Sequence, residues 1–326
     1  MTFHTKDLSK LKFLVTGGAG FIGSHIVDYL VENNAGLVRV VDNLSTGSLQ
    51  NIQQHRNNPN FEFIEADLTE YVVSNNASKG IDIIFHEAAL GSVPRSIEQP
   101  LNTNNHNVNA QLNVLWAAVQ NNVKRFVYAS SSSVYGDDSR IPKVEEFTGT
   151  PLSPYAVSKK VNELYAGVFA SLYDLHVIGL RYFNVFGPRQ NPKGPYAAVI
   201  PLFIDALMSG QVPVIYGSGN QSRDFTYVDN IVQANIQAAF CDKREVFGQI
   251  MNIGAGGNTS VNDLFAMIAG ELGSDISPVY QPARKGDVQR SSASVDKAAR
   301  LIGYAPHVKI EEGIKRTIKG FQDIEV

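Results

Sequence analysis

Residues 11–23, LKFLVTGGAGFIG, decide the reading of this chain. An apolar run rich in strand formers ends in three glycines, Gly17, Gly20 and Gly23, spaced three apart, and a helix-compatible run follows over residues 24–32. A strand, a tight turn and a helix opening toward it make a phosphate-binding unit. The first glycine permits the turn, the second lets backbone come close to a pyrophosphate, and the third lets the helix pack on the strand with its free N–H groups facing the phosphates. Glycines at this spacing carry little alone; set between a strand pattern and a helix pattern they carry much more.

Such a unit calls for an acid about 20 residues on, to accept hydrogen bonds from an adenosine ribose. The run LVRVV, residues 37–41, ends at Asp42, 19 positions after Gly23. A carboxylate there repels a 2′-phosphate, which favours NAD over NADP as the cofactor.

Composition bounds the rest. The chain has 326 residues, 44% of them hydrophobic, enough for a large core and long enough for two domains. A formal net charge of −3 with no basic stripe argues against a nucleic-acid partner. The single cysteine, Cys241, excludes an internal disulfide and fits a reducing compartment. The first residues, MTFHTKDLSKLKF, lack the apolar core of a signal peptide, and no uncharged apolar run approaches the roughly 18 residues that span a bilayer. A soluble, cytoplasmic protein without a membrane partner is expected.

Strand patterns at 11–16, 37–41, 61–65, 81–86, 125–130 and 176–182 alternate with helix-like stretches near 22–34, 101–121 and 154–173. That alternation predicts an α/β fold of Rossmann type, a doubly wound parallel sheet with helices on both faces. Ligands then sit beyond the carboxyl ends of the strands, so the residues just after each strand matter most. After the third come Asp67 and Leu68, suited to an adenine edge and face. After the fourth come Glu87, Ala88, Ala89, Leu90 and Gly91, mostly small side chains that leave room for a flat cofactor. The fifth ends in Ser130, Ser131, Ser132 and Ser133, and the sixth leads to Asn184 and on to Arg189. Each could also be a polar strand end capping a helix.

From about Pro188 the pieces shorten: a helix near 197–209, a strand at 212–216, a helix near 229–240, a strand near 249–253, a helix near 260–272, and a polar stretch at 282–294 without clear periodicity. The expected organisation is an NAD-binding domain over 1–187, with contributions from about 225–250, and a smaller, discontinuous α/β cap over 188–326 that binds the substrate.

Tyr155 and Lys159 lie four apart in a helix whose start is marked by Ser153 and Pro154, so they share one face. A tyrosine ionises near pH 10, too high for a base at neutrality. A nearby ammonium, with the positive ring of an oxidised nicotinamide, favours the phenolate. Taken alone the pair is also what an exposed amphipathic helix would show. Next to the serine cluster and the glycine turn it reads as a catalytic pair, with Ser131 as the hydroxyl that shares a hydrogen bond with Tyr155 and a substrate oxygen. No residue is assigned to a metal.

TGGAGFIG, DNLSTG, SSSSVYG, the Tyr155 to Lys159 segment and RYFNVFGPRQ together resemble the extended short-chain dehydrogenase/reductase family over nearly the whole chain, and most closely its nucleotide-sugar 4-epimerases. Among these the sequence looks like the bacterial UDP-N-acetylglucosamine 4-epimerases of surface-polysaccharide pathways. The resemblance implies that Tyr155 removes the proton of a sugar 4-hydroxyl while hydride passes from C4 to NAD. The 4-keto sugar then turns, and hydride returns to its other face.

Carried over by position, Ser131 matches the catalytic Ser/Thr. Phe21, Ile22, Asp42, Asn43, Leu44, Ser45, Thr46, Gly47, Asp67, Leu68 and residues 87–91 match cofactor contacts. Asn184 matches an asparagine near the sugar diphosphate, and Arg223 and Arg284 match two diphosphate-binding arginines. Ser132, Ser133, Tyr216 and Asp287 are placed with them on the UDP-sugar side. Ser291 falls where narrow-specificity UDP-galactose enzymes carry a bulky tyrosine, so space for a 2-acetamido group is implied. A homodimer built on residues 101–121 and 154–173 is also implied, with Leu112, Leu115, Trp116 and Val119 as its apolar stripe or as core.

Related 4,6-dehydratases need an acid and a base where this chain has Ser132 and Ser133, and decarboxylases usually carry a glutamate in the same segment. Epimerisation without elimination is what remains, with a UDP-uronate as an alternative substrate. A catalytically silent NAD-binding protein is the alternative of another class.

Overall fold

The computed structural model describes residues 2–193, 197–283 and 289–323. In chain order the first part runs β1 (Lys12–Thr16), α1 (Phe21–Glu32), β2 (Leu37–Asp42), β3 (Phe61–Glu65), α2 (Tyr71–Ala77), β4 (Ile83–His86), α3 (Val93–Glu98), α4 (Pro100–Asn104), a π-helical turn (Asn105–Asn109), α5 (Ala110–Gln120), β5 (Arg125–Ser131), α6 (Pro154–Leu172) and β6 (His176–Tyr182). It continues with β7 (Val185–Phe186), α7 (Val199–Met208), β8 (Val214–Tyr216), β9 (Ser222–Arg223), β10 (Thr226–Tyr227), α8 (Val228–Phe240), β11 (Ile250–Ile253), β12 (Thr259–Ser260), α9 (Val261–Leu272), β13 (Val279–Gln281), β14 (Arg290–Ser291), α10 (Asp296–Ile302) and α11 (Ile310–Gln322).

Seven strands form one parallel sheet in the order β11-β6-β5-β4-β1-β2-β3. The fold class expected from the alternation is therefore observed. Successive residues alternate between two buried faces: Phe13, Val15, Phe85, Val127 and Ile178 pack beneath α1, α8 and α10, whereas Leu14, Ile84, Phe126, Tyr128 and Val177 pack beneath α2, α5 and α6. Burial on both sides is why these strands read as near-continuous apolar runs. A third cluster, of Phe203, Ile204, Leu207, Leu264, Ile268, Ile314 and Ile318, joins α7, α9 and α11 with the short strands.

The chain order reverses between β1 and β4, which pair in register from Phe13 with Ile83 to Thr16 with His86. A crevice opens at that switch point, beyond the carboxyl ends of the strands. Helix α8 and strand β11 return from the second half to complete the large sheet, and α10 also packs on that side.

Two features depart from the expectations. The stretch 101–121 is not one α-helix, because the π turn at Asn105–Asn109 interrupts it. Its apolar stripe follows the core alternative in part: Leu115 is fully buried and Leu112 and Val119 pack against the core, while Trp116 stays exposed. The exposed apolar stripe lies on α6 instead, where Val157, Leu164, Val168 and Leu172 recur at helical spacing, with Ile97 and Leu101 exposed on α3 and α4. Among the described residues no helix is long and apolar enough to cross a membrane.

Candidate active site

Gly17 turns the chain out of β1 with φ +67°, in the left-handed region, and a Cβ there would lie 2.7 Å from the Ala88 backbone. Gly20 precedes α1 and has no side chain to cap it, so the first N–H groups of the helix are left for a ligand. At the end of β2, Asp42 is buried. Its Oδ2 accepts the Ala19 N–H at 3.0 Å and its Oδ1 accepts the Leu44 N–H at 2.9 Å, so the carboxylate holds the glycine turn in place as well as facing the crevice. Burial pushes its pKa up, against those hydrogen bonds.

Gly17, Gly20, Phe21, Ile22, Gly23, Asp42, Asn43, Ser45, Thr46, Asp67, Leu68 and residues 87–91 all line one cavity of about 630 Å³, together with Ser131, Ser132, Tyr155, Lys159 and Asn184. Leu44 and Gly47 do not line it. Leu44 turns its side chain into the core from a positive φ of 56°, and Gly47 lets the loop close over Ala19. Asp67 takes hydrogen bonds from the Thr69 N–H at 2.8 Å and the Asn43 Nδ2 at 3.0 Å, with His106 Nε2 3.3 Å away. Burial alone would raise its pKa, but these partners hold it below the usual carboxylate range.

The catalytic candidates meet across β5 and α6. Ser153 caps α6, its Oγ accepting the Ala156 N–H at 3.1 Å, and Pro154 follows as the first helical residue. Tyr155 therefore stands in the first turn, with Lys159 one turn later. The Lys159 Nζ donates to the Ala129 carbonyl of β5 at 2.7 Å, and the Tyr155 and Ser131 side chains line the same cavity, with the serine hydroxyl acting to lower the Tyr155 pKa. Ser133 does not line the cavity; it donates its Oγ–H to the Ser131 Oγ at 2.9 Å.

Burial pulls the Lys159 ammonium down to about 8, opposed by Glu87 and Glu163. Burial also raises the Tyr155 hydroxyl above its ordinary value, with the Ser131 hydroxyl opposing. Burial therefore works against the phenolate that the i, i+4 spacing with Lys159 suggests.

Two groups behind this wall were not singled out in the sequence. Glu163, one turn beyond Lys159, takes Ser130 Oγ and Arg181 Nε on its Oε1, both at 2.7 Å, and Arg181 Nη2 on its Oε2 at 2.9 Å. Arg181 Nη1 reaches the Tyr135 hydroxyl at 3.0 Å. Asn107, in the π turn, accepts the Leu90 N–H at 2.7 Å and donates to Ser158 Oγ at 3.1 Å, which ties α6 to the loop after β4. The polar run TNNHNVN inside a helical pattern was the available signal for it.

Residues 13–254 match the NAD dependent epimerase/dehydratase family. The chain belongs to that family. A solved structure of a UDP-N-acetylglucosamine 4-epimerase from Methanobrevibacter ruminantium M1, in complex with UDP-N-acetylmuramic acid, matches with a TM-score of 0.92 and 42% identity, covering 98% of this chain and 100% of that one. The UDP-glucose 4-epimerase of Mycolicibacterium smegmatis is 36% identical over 315 residues, 96% of this chain and 99% of the relative. The UDP-glucuronate 4-epimerase of Thermodesulfobacterium geofontis is 32% identical over 314 residues, 94% of each chain.

NAD is the cofactor of this epimerase/dehydratase, and the residues present fit it. The uncapped start of α1 suits a diphosphate, and Asp42 and Asp67 keep lone pairs toward the cavity. Arg189, at the cavity wall, pairs through Nη2 with Asp28 Oδ2 at 2.7 Å, yet its buried Nη1 has no partner among the described residues. A cation so placed suits an anionic ligand, and the sequence reading gave Arg189 no role.

The substrate-side candidates are only partly gathered. Asn184 lines the cavity and donates Nδ2–H to the Asp224 carbonyl at 3.0 Å. Asp224 follows Arg223 and is fully buried, its carboxylate accepting the Ala255 N–H at 2.9 Å and the Gly256 N–H at 3.1 Å. Arg223 and Ser291 are direct partners in the β9–β14 pairing. Neither they nor Tyr216, on β8, line the cavity. Arg284 and Asp287 lie outside the described residues.

Proposed function

We propose that this chain is a UDP-N-acetylglucosamine 4-epimerase interconverting UDP-GlcNAc and UDP-GalNAc, with UDP-Glc and UDP-Gal as further substrates. The observation that carries the reading is the convergence of Ser131, Tyr155 and Lys159 on one wall of the cavity whose other wall is the glycine turn. NAD, held by that turn with Asp42 and residues 87–91, supplies a reversible hydride acceptor.

The rest falls to this chain. Tyr155 takes the proton of the sugar 4-hydroxyl and later returns one, and Ser131 holds the same oxygen by a hydrogen bond while C4 is a ketone. Lys159, fixed by the Ala129 carbonyl, keeps positive charge near the phenolate. Ser132 and Ser133 offer no carboxyl to drive elimination, so the ketone can only be reduced again.

Two observations support the acetamido sugars. Ser291, a small residue, is the register partner of Arg223, the candidate diphosphate ligand. The solved relative with 42% identity is itself a UDP-N-acetylglucosamine 4-epimerase. We also propose a cytoplasmic homodimer that buries the exposed stripe of α6. The chain then divides into an NAD-binding part over 1–187 with 225–250, and a substrate-binding remainder.

Purified protein incubated with UDP-GalNAc, and separately with UDP-Gal, should produce UDP-GlcNAc and a smaller amount of UDP-Glc by proton NMR of the anomeric region. Ser291→Tyr should lose the acetamido sugars and keep UDP-Gal. Conversion of UDP-Gal alone by the unaltered protein would refute the substrate assignment and leave the chemistry standing. Conversion of a UDP-uronate alone would move the assignment to that class.

A further inference from the structure

Glu87 is an acid inside the hydride-transfer cavity that the proposed chemistry does not use. It follows β4 directly and lines the same cavity as Tyr155 and Lys159. Its Oε1 accepts the Tyr182 hydroxyl at 2.9 Å, and Asn235 Nδ2 supports that hydroxyl at 2.7 Å. Its Oε2 is buried and has no partner among the described residues. A polar atom left bare next to a reactive centre costs free energy unless a ligand or function offsets it.

The groups facing Glu87 limit what it can do. Lys159, from α6, is the charged one and interacts with it electrostatically. Tyr182, from β6, is neutral, since burial pushes its hydroxyl well above the ordinary value. Tyr155, from α6, is raised in the same way. His86, the preceding residue of β4, is turned to Thr16 Oγ1 at 2.8 Å, and burial brings its pKa down to about 3, so it is uncharged. Glu163, from α6, also bears on Lys159 but is paired with Arg181, so Glu87 and Lys159 are the two charges lining this end of the cavity that have no such pair.

These charges place opposite demands on the site. Lys159 has to be positive to favour the Tyr155 phenolate. A positive group beside a nicotinamide ring also opposes the cationic, oxidised ring and favours the neutral, reduced one. An epimerase needs both forms within one turnover, so neither can be much the more stable.

We propose that the Glu87 carboxylate is the counter-charge that offsets Lys159 and restores the oxidised form of the bound cofactor. The inference rests on the hydride chemistry proposed above, and involves no bond made or broken by Glu87. Burial pushes the carboxyl up to about 7, so its charge, and with it the bias, is gained as pH rises through that value.

The test is a redox titration of the NAD-loaded protein against a mediator couple of fixed potential, read by the absorbance of reduced nicotinamide. Between about 7 and about 8, where Glu87 has gained its charge and Lys159 has not yet lost its own, Glu87→Gln should hold about tenfold more reduced relative to oxidised cofactor than the unaltered protein, about 1.4 kcal/mol; well below 7, the two should agree. Tyr182→Phe keeps the carboxylate and removes its hydrogen bond, and should move the onset of the bias to higher pH at unchanged size. It also keeps the question open to refutation should Glu87→Gln fold poorly. Equal ratios for Glu87→Gln and the unaltered protein at every pH would overturn the inference, as would an onset unmoved by Tyr182→Phe. Failure to bind or reduce any cofactor would instead overturn the hydride chemistry beneath it.

Discussion

The ion pair of Glu163 and Arg181 should be one of the costliest places to alter this protein. Both are nearly inaccessible, at 4% and 2% exposure, and the two carboxylate oxygens take three hydrogen bonds from Arg181 and Ser130. Glu163→Gln keeps the shape but removes the charge and turns an amide N–H₂ toward a guanidinium. Removing one partner of a buried pair costs about 3–5 kcal/mol, because the other charge stays buried without compensation. Urea unfolding should show the midpoint falling by the equivalent of that loss at unchanged slope. Replacing both residues by methionine should cost less than the sum of the single replacements, since no charge is then left stranded. A single-variant loss below about 1 kcal/mol, the level of an exposed pair, or strict additivity in the double variant, would refute the reasoning.

Further outcomes follow from the same geometry. Tyr155→Phe should lower kcat by about 10²–10⁴ while NAD binding and folding stay intact, as measured by turnover and calorimetry. Gly17→Ala should weaken NAD binding in a titration and lower stability by at least about 1–2 kcal/mol, from the left-handed backbone alone. The added Cβ also meets the Ala88 backbone at 2.7 Å, so the loss should exceed that strain. Leu164→Glu with Leu172→Glu, at positions 62% and 70% exposed, should yield monomers by light scattering with NAD still bound.

Much of the large sheet was legible because both of its faces are buried. Strands such as residues 61–65 and 176–182 have the bounds expected from their apolar runs. The glycine turn and Asp42 were legible for a local reason: a tight turn, a helix start and an acid at fixed spacing leave little freedom. Glu163 and Arg181 were not, because a lone charge in a sequence reads as solvated surface until its partner, 18 residues away, is seen to reach it. Leu112, Leu115 and Val119 show the limit of periodicity, which identifies an apolar stripe but not what covers it. The helix at Ile310–Gln322 carries a regular stripe of Ile314, Ile318 and Phe321 and was open to reading from spacing alone. Arg223 and Ser291 meet only through strand pairing between distant segments, which no local pattern encodes.

The return of β11 to the edge of the large sheet bears on how the protein is made. Strand β6 ends at Tyr182, and the strand that pairs with it begins only at Ile250. At about 5–20 residues per second, a growing chain carries β6 with its outer edge unpaired for roughly 3–14 s. That edge belongs to HVIGLRY, a strand with no proline and mostly apolar, so it is the kind of template to which neighbouring nascent chains can add. The mature enzyme buries this hazard completely, and the stage at which the chain most needs protection is on the ribosome.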